Sequence, residues 1–285
     1  PQTGEEEVLR AIEDSVRSAV AAAKGTVDQL SGIGVGSPGV IGTDGSVGSA
    51  KNVPGFQNDP MPLGSRLSAT FKGVPVNIDN DVRVAVRGEW QRGAGRPYQN
   101  LAGVFVGTGV GGGLVLDGQL LIGHGAAGEI GHTLVKEGGR VCSCGQHGHL
   151  ESYAGRGCMV AEARSRQEKG HHTDLFHLMR KRDRTRVTSG VIADALRHGD
   201  KMTKALIDDA IWALGIAIAN AQNLLDLDAI IVGGGLGDRL GTPFVEAIER
   251  AAVPLLFAPG RPPKFLCTEL GDLSGAVGAA VLVGG

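Results

Sequence analysis

The chain has 285 residues, 47 of them Gly and only 7 Phe, 2 Trp and 2 Tyr, and its 28 basic and 30 acidic side chains leave a net charge of −2. The glycine share is roughly twice the ordinary one. With no collagen period, and with Val, Ile and Ala around the glycines, this predicts tight turns and close backbone approaches to a ligand. Collagen, coiled coil and disordered tail are excluded, and the near-neutral balance argues against a nucleic-acid surface.

Val8, Ile12, Val16, Val20 and Ala23 recur at helical spacing and predict a helix over 8–24 that stops at Gly25. Gly32-Ile33-Gly34-Val35-Gly36 reads as a short buried strand, followed by the turn Ser37-Pro38-Gly39. Residues 42–62, rich in Gly, Pro, Asn and Asp, read as loop. Leu63 to Phe71 is a short helix, and Val74–Ile78 is a strand that runs into Asp79-Asn80-Asp81 and a helix ending near Gln91. A second segment opens with the strand Leu101–Val106, the glycine loop 107–113, the strand Leu114–Leu116 and a hairpin turn at Asp117-Gly118.

Residues 123–151 are irregular and rich in His, Cys and Gly. From Glu151 to Asn223 the pattern is helical, with the polar stretch 165–186 as solvated surface. Ala229–Val232 is a buried strand ending in Gly233-Gly234-Gly235. A helix over 243–252, a strand near Phe265–Cys267 and a helix from Leu273 to Val283 close the chain. Alternating strands and helices make this an α/β protein. The length predicts two domains, divided near 92–100 into residues 1–91 and 92–272.

Four constellations carry chemistry. Gly107-x-Gly109-x-x-Gly112 satisfies the dinucleotide fingerprint as a string, but a strand follows it where that fingerprint needs a helix. As a glycine hairpin it can still hold phosphate through backbone N–H groups and the Thr108 hydroxyl, or it is an ordinary turn. Gly233-Gly234-Gly235 is a second place for a nucleotide to approach, and the P-loop string occurs nowhere.

His132, Cys142, Cys144 and His149 offer four ligands within 18 residues, suited to a tetrahedral structural Zn²⁺ with no open position. His147 rivals His149 for the fourth place, and buried free cysteines are the bland alternative. Cys158 and Cys267 read as small buried apolar residues. Cysteines so few and so clustered point to a metal or a reducing, cytoplasmic setting rather than a disulfide framework. Asp79-Asn80-Asp81 stands at the carboxyl end of a strand, where α/β proteins bind ligands, although Asp81 also suits a helix cap. Glu129 and Glu151 are further polar candidates, with exposed helix surface as the alternative. No apolar run approaches the roughly 18 residues of a membrane span, and residues 1–7 do not read as a signal peptide.

Together these pieces resemble the ROK family of sugar kinases and sugar-responsive repressors. The segments that carry the likeness are Gly125-Ala126-Ala127-Gly128-Glu129-Ile130-Gly131-His132 and the run from Cys142 to Glu151, with Asp79–Arg83, Gly107–Gly113 and Gly233–Gly235. The resemblance implies an actin-like, ribonuclease-H-like ATPase fold of two α/β domains, with sugar and Mg-ATP in the cleft between them and the helix 273–283 returning to the first domain. It makes Asp81 the catalytic base and Asn80, Asp81, Glu129, His132 and Glu151 the sugar ligands. Gly107, Thr108, Gly109, Gly111 and Gly112 become the phosphate motif and Gly233–Gly235 the adenosine motif. His132 then ligates zinc with one ring nitrogen and bonds sugar with the other.

Three departures stand out. His149 replaces the usual third cysteine, Asp79 and Arg83 replace the usual Glu and Asn around the base, and the phosphate motif D-[IL]-G-G-T of an N-terminal hairpin is missing from the 285 residues. Arg83 is expected to be neutral or to reach a phosphate. The missing motif leads to the expectation of a chain that binds sugar but phosphorylates it poorly, with an unpaired edge on the first domain's sheet. The expected activity is that of a hexose 6-kinase of carbohydrate metabolism, a glucokinase acting as a homodimer. The alternatives are an N-acetylglucosamine or N-acetylmannosamine kinase and a non-catalytic sugar-sensing repressor core. The intact glycine loop, and the lack of a helix-turn-helix pattern in residues 1–30, favour the kinase.

Overall fold

A computed structural model describes residues 4–48, 50, 53, 56 and 60–284, so part of the loop expected over 42–62 lies outside the described residues. The chain divides into two compact units, Pro1–Gly93 with Ile122–Ala127 and Leu273–Gly285, and Ala94–Leu121 with Gly128–Asp272.

In the first unit, α1 (Glu5–Ala22) turns Val8 and Leu9 inward and packs Ile12 and Val16 beside them. It ends where Lys24 enters the left-handed region (φ 56°) and the Gly25 N–H bonds the Val20 carbonyl at 3.0 Å. β1 (Ile33–Ser37) leads to β2 (Val40–Ile41) and β3 (Val47–Gly48), an antiparallel pair. β3 falls inside the stretch expected to be loop, because Val47 is fully buried and pairs with Met61. α2 (Leu63–Thr70) buries Leu63 and Leu67, with Phe71 one turn further on. β4 (Val76–Asn80) runs parallel to β1 with Ser37 opposite Asn80, and α3 (Asp81–Arg92) follows directly. Among the described residues β1 and β4 pair only with each other.

The second unit holds a five-stranded sheet. β5 (Leu101–Val106) pairs antiparallel with β6 (Val110–Leu116), which pairs with β7 (Gln119–Leu120) across a turn where Asp117 and Gly118 both have positive φ. Gly111, Gly112 and Gly113 therefore lie in β6, opposite Phe105, Val104 and Gly103, rather than in a loop. Glycine carries no side-chain alternation, so a strand built on it leaves no pattern to read.

The helices α4 (Glu151–Ala154), α5 (Arg156–Glu168), α6 (Leu175–Lys181), α7 (Ser189–Arg197) and α8 (Lys201–Leu225) follow. α6 corrects the expectation of solvated surface over 165–186: Leu175, Phe176, Leu178 and Met179 are buried, and the cations after them mask that face in the sequence. β8 (Ala229–Gly233) and β9 (Lys264–Cys267) run parallel to β5, giving the order β7-β6-β5-β8-β9. β8 is buried along its whole length, as a strand covered on both faces must be. α9 (Gly234–Ala252) starts earlier than expected and breaks at Gly241 before Pro243 restarts it. Cys158 and Cys267 are half-buried rather than fully buried.

The last helix, α10 (Ser274–Val281), belongs to the first unit and packs on α3 and β1. A Cβ on Gly278 would overlap the Val84 carbonyl, and one on Gly34 would overlap the Ala279 backbone. The close approaches signalled by these glycines are thus between helix and helix or strand, not toward a ligand. Gly278→Ala is expected to destabilise the protein by about 1–3 kcal/mol or more, since the obstructing atoms are backbone. Urea unfolding measures it, and an unchanged midpoint would rule out so tight a crossing.

Candidate functional site

β4 delivers Asp79, Asn80 and Asp81 to the start of α3, and the three side chains take different tasks. Asn80 is the helix cap: its Oδ1 accepts from the Val82 and Arg83 N–H groups at 3.0 and 3.2 Å. Its Nδ2 lies 3.4 Å from the Gly39 carbonyl. Asp81 is thereby released from the capping role that its position suggested. It is exposed, among the described residues accepts only the Val82 N–H at 3.0 Å, and has a pKa raised above the ordinary carboxylate range because surrounding protein strips its hydration.

Asp79 and Arg83 form a buried pair, 6% and 2% exposed. Asp79 Oδ1 accepts from Arg83 Nε at 2.7 Å and from the Asn80 N–H at 2.8 Å, and Arg83 Nη1 donates to the Gly125 carbonyl at 2.6 Å. Arg83 is therefore neither neutral nor placed for a phosphate; it ties the base of α3 to the glycine loop at 122–127. Asp79→Ala leaves that guanidinium buried without its counter-charge. A loss of about 3–5 kcal/mol in urea unfolding is expected, and a loss under 1 kcal/mol would show that water replaces the carboxylate.

In the second unit the β5–β6 turn is Gly107-Thr108-Gly109. The Gly107 N–H closes it by bonding the Gly109 carbonyl at 2.9 Å, so that N–H is not available to a ligand. The start of α5 grips the same turn: the N–H groups of Arg156 and Gly157 bond the carbonyls of Gly107 and Thr108. Arg156 also donates to Thr108 Oγ1 at 2.7 Å and to Ser189 Oγ at 3.0 Å. Gly233, Gly234 and Gly235 form the β8–α9 junction, where Gly234 (φ 80°) abuts the Val106 backbone and Gly235 faces Ser189. The two glycine motifs thus lie side by side, joined through Arg156 and Ser189. Neither residue was singled out in the sequence. The available signal was a cation at the first position of a helix, where the dipole disfavours it.

The irregular stretch after β7 folds into a knuckle. The Cys142 N–H bonds the Gln146 carbonyl at 2.8 Å, and the Gly145 N–H bonds the Cys142 carbonyl at 2.9 Å with Gly145 at φ 93°. Ligand atoms of His132, Cys142, Cys144 and His149 come within 4.8 Å of one another. Cys142 Sγ lies 3.8 Å from His132 Nδ1, and Cys144 Sγ lies 3.3 Å from His149 Nδ1. Bonds of about 2.0–2.3 Å to a tetrahedral zinc imply donor separations of roughly that size, so the donor set fits the ion. His147 turns away to the Gly139 carbonyl at 3.1 Å and is not in the cluster. Burial pushes the Cys142 thiol up to about 11.

Glu129 and His132 are exposed, whereas Glu151 is buried at 8%. Glu151 Oε2 accepts the Val110 N–H at 2.9 Å, and Oε1 accepts from Ser143 Oγ with Cys142 Sγ 3.8 Å away. It therefore connects the knuckle to the strand that follows the Gly107-Thr108-Gly109 turn, a link that sequence spacing does not reveal.

Comparison with known proteins supplies the rest. The ROK family profile matches residues 2–285. A glucokinase of Halalkalibacterium halodurans is 37% identical over 261 residues, covering 89% of this chain and 76% of that protein. A ROK hexokinase structure from Thermus thermophilus superposes with a TM-score of 0.78 at 28% identity, over 99% of this chain and 87% of that one. A ROK family glucokinase from Streptomyces griseus, in complex with glucose and AMPPNP, gives 0.77 at 28% identity, over 99% and 88%. The chain has the actin-like ATPase fold and belongs to the ROK family.

Proposed function

We propose that the chain is an ATP-dependent hexose kinase that transfers the terminal phosphoryl group of Mg-ATP to the 6-hydroxyl of glucose. The observation that carries this reading is Asp81, an exposed carboxylate at the carboxyl end of β4, freed from capping by Asn80 and raised in basicity by lost hydration. As O6 attacks the γ-phosphorus, Asp81 takes the hydroxyl proton and the bond to the β-phosphate oxygen breaks, releasing ADP. Thr108 Oγ1 accepts from Arg156, which leaves its own proton to donate to a phosphate oxygen. Together with Gly109, Gly111 and Gly112 it forms the phosphate side of the donor site, where Gly107 shapes the turn and does not donate its N–H, and Gly233–Gly235 form the adenosine side.

The sugar hydroxyls are assigned to Asn80, Asp81, Glu129, His132 and Glu151. Asn80 keeps an Nδ2 hydrogen for this, and Glu151 keeps the second lone pairs of its oxygens. His132, Cys142, Cys144 and His149 would hold zinc as a structural ion, which would fix the knuckle and the His132 ring and leave Nε2 to the sugar. Residues 1–91 with helix 273–283 act as the domain that carries the base, and residues 92–272 as the domain that carries phosphate turn and metal. The glucokinase relatives support glucose as acceptor. The protein works in the cytoplasm as a homodimer, for which exposed Leu224, Leu255 and Phe257 offer an apolar face. Among the described residues no helix is long and apolar enough to cross a membrane.

The test is coupled ADP release over glucose, mannose, N-acetylglucosamine and N-acetylmannosamine. Turnover highest with glucose is expected. Turnover only with the acetamido sugars would move the assignment to those substrates, and sugar binding without turnover would move it to a sensing role.

A further inference from the structure

We propose that the cavity between the segment leading into the knuckle and α8 is a binding site for a small organic monocarboxylate with a flat apolar body. It does not rest on the kinase reading. The cavity has a volume of about 390 Å³, within the range of small-ligand sites. Lys136 and Arg140 line it from the segment before Cys142, Tyr153 from α4, and Asp209 and Trp212 from α8.

The walls are held in place by the fold itself. The Gly148 N–H bonds the Arg140 carbonyl at 2.8 Å, and the Arg140 N–H bonds Tyr153 Oη at 3.2 Å. Gly139 permits this approach, since a Cβ there would lie 2.3 Å from Tyr153 Oη. The Arg140 guanidinium lies over the Tyr153 ring, 4.8 Å from its centre, and covers that face. Trp212 meets Tyr153 edge to face with ring centres 5.5 Å apart. At 41% exposed, its indole is the flat wall left open to a ligand.

Charge sets the kind of ligand. Arg140 and Arg166 are matched by Asp209 and Glu162 in one network. Lys136 is exposed and forms no ion pair among the described residues, and its neighbour Glu137 does not line the cavity. The lining therefore carries one cation in excess. Arg140 adds a second donor: its Nη1 is buried without a hydrogen-bond partner among the described residues, a costly state. Thr203 Oγ1 is also unpartnered, but the cavity it lines is about 10 Å³ and holds a water at most.

Two donors and one surplus charge match the two oxygens and single charge of a carboxylate. A phosphate monoester brings a third oxygen and nearly two charges, more than this lining offsets. The open indole face selects a planar body, which stacks on it.

Calorimetry on the full chain with benzoate tests the site, with acetate, benzamide and phenyl phosphate as comparisons. Benzoate is expected to bind at least about tenfold more tightly than acetate, which lacks the flat body, and than benzamide, which lacks the charge. Its affinity should fall as salt rises. Lys136→Ala and Trp212→Ala change exposed side chains outside the assigned catalytic and metal sites. Each is expected to weaken benzoate binding by about tenfold. Lys136 makes no ion pair whose loss could unfold the chain, so that variant reads the site even if Trp212→Ala is destabilised. No benzoate binding, or binding that Lys136→Ala leaves unchanged, overturns the site. Acetate or benzamide binding as tightly as benzoate overturns the class of ligand, as does tighter binding of phenyl phosphate that is lost in the same variants.

Discussion

Asp81→Asn is expected to lower turnover by about 10²–10⁴-fold, the usual contribution of a general base, while leaving the fold at least as stable as the parent. The amide keeps the shape of the carboxylate and an oxygen for the Val82 N–H, which Asp81 meets at 3.0 Å. It also leaves intact the cap supplied by Asn80. Only the capacity to accept a proton is lost. The raised pKa of Asp81 sets the sign of the stability effect, with lost hydration outweighing the Val82 hydrogen bond.

A carboxyl whose folded pKa lies above its unfolded one stabilises the fold below the unfolded pKa, and this contribution disappears as pH rises through the folded pKa. At neutral pH the ionised carboxylate therefore opposes folding, and Asn removes that opposition. Urea midpoints are expected to favour the variant at pH 7 and to converge with the parent at acidic pH. The acid limb of the parent's kcat/KM profile is expected above the roughly 3.9 of an ordinary Asp. Turnover within a few-fold of the parent would sink the assignment of Asp81 as base.

What the sequence makes legible is whatever leaves a side-chain pattern. The apolar runs of β5 and β8, the Asp117-Gly118 turn and the four-residue spacing of Leu63, Leu67 and Phe71 all do so, because burial selects their residue types at fixed periods. The clustering of His132, Cys142, Cys144 and His149 is legible for a related reason, since metal ligands come from a short list of side chains. Glycine erases the signal, which is why β6 begins at Val110, four residues earlier than the expected start at Leu114. Charge hides it in α6, whose buried face is followed at once by cations. Pairings across the fold leave the least trace. Nothing in the spacing of Asp79, Arg83 and Gly125 reveals that a buried guanidinium joins them, or that Glu151 turns its carboxylate toward Val110 and Ser143. Asn80 and Asp81 show the limit most sharply: either residue type caps a helix, and only geometry shows which of the two does.

Loss of the metal is expected to act on both substrates, because of what the knuckle holds. One Zn²⁺ per chain is expected by metal analysis after metal-replete expression, and less than about half an equivalent would count heavily against the site. Coordination must remove the Cys142 proton, and burial holds that thiol up to about 11. Below that pH, the Cys142 proton alone should lower zinc affinity by about tenfold per pH unit. Cys142→Ser removes one thiolate and the sulfur beside Glu151 Oε1. With the ion gone, His132 loses the partner that fixes its ring, and the glucose KM should rise by about 10–100-fold.

Glu151 transmits a second effect. Its Oε1 is held by Ser143 inside the knuckle, and its Oε2 holds the Val110 N–H at the end of the Gly107-Thr108-Gly109 turn. A loosened knuckle therefore loosens the strand that positions Thr108, and kcat should fall along with glucose affinity. Chelation of the parent protein provides the control, since re-added zinc should restore both quantities and cobalt should give the visible bands of a tetrahedral Cys₂His₂ site. A rise in glucose KM with kcat and the ATP KM untouched would show that Glu151 does not couple the knuckle to the phosphate turn. Full activity in the zinc-free protein would remove the metal from the mechanism altogether.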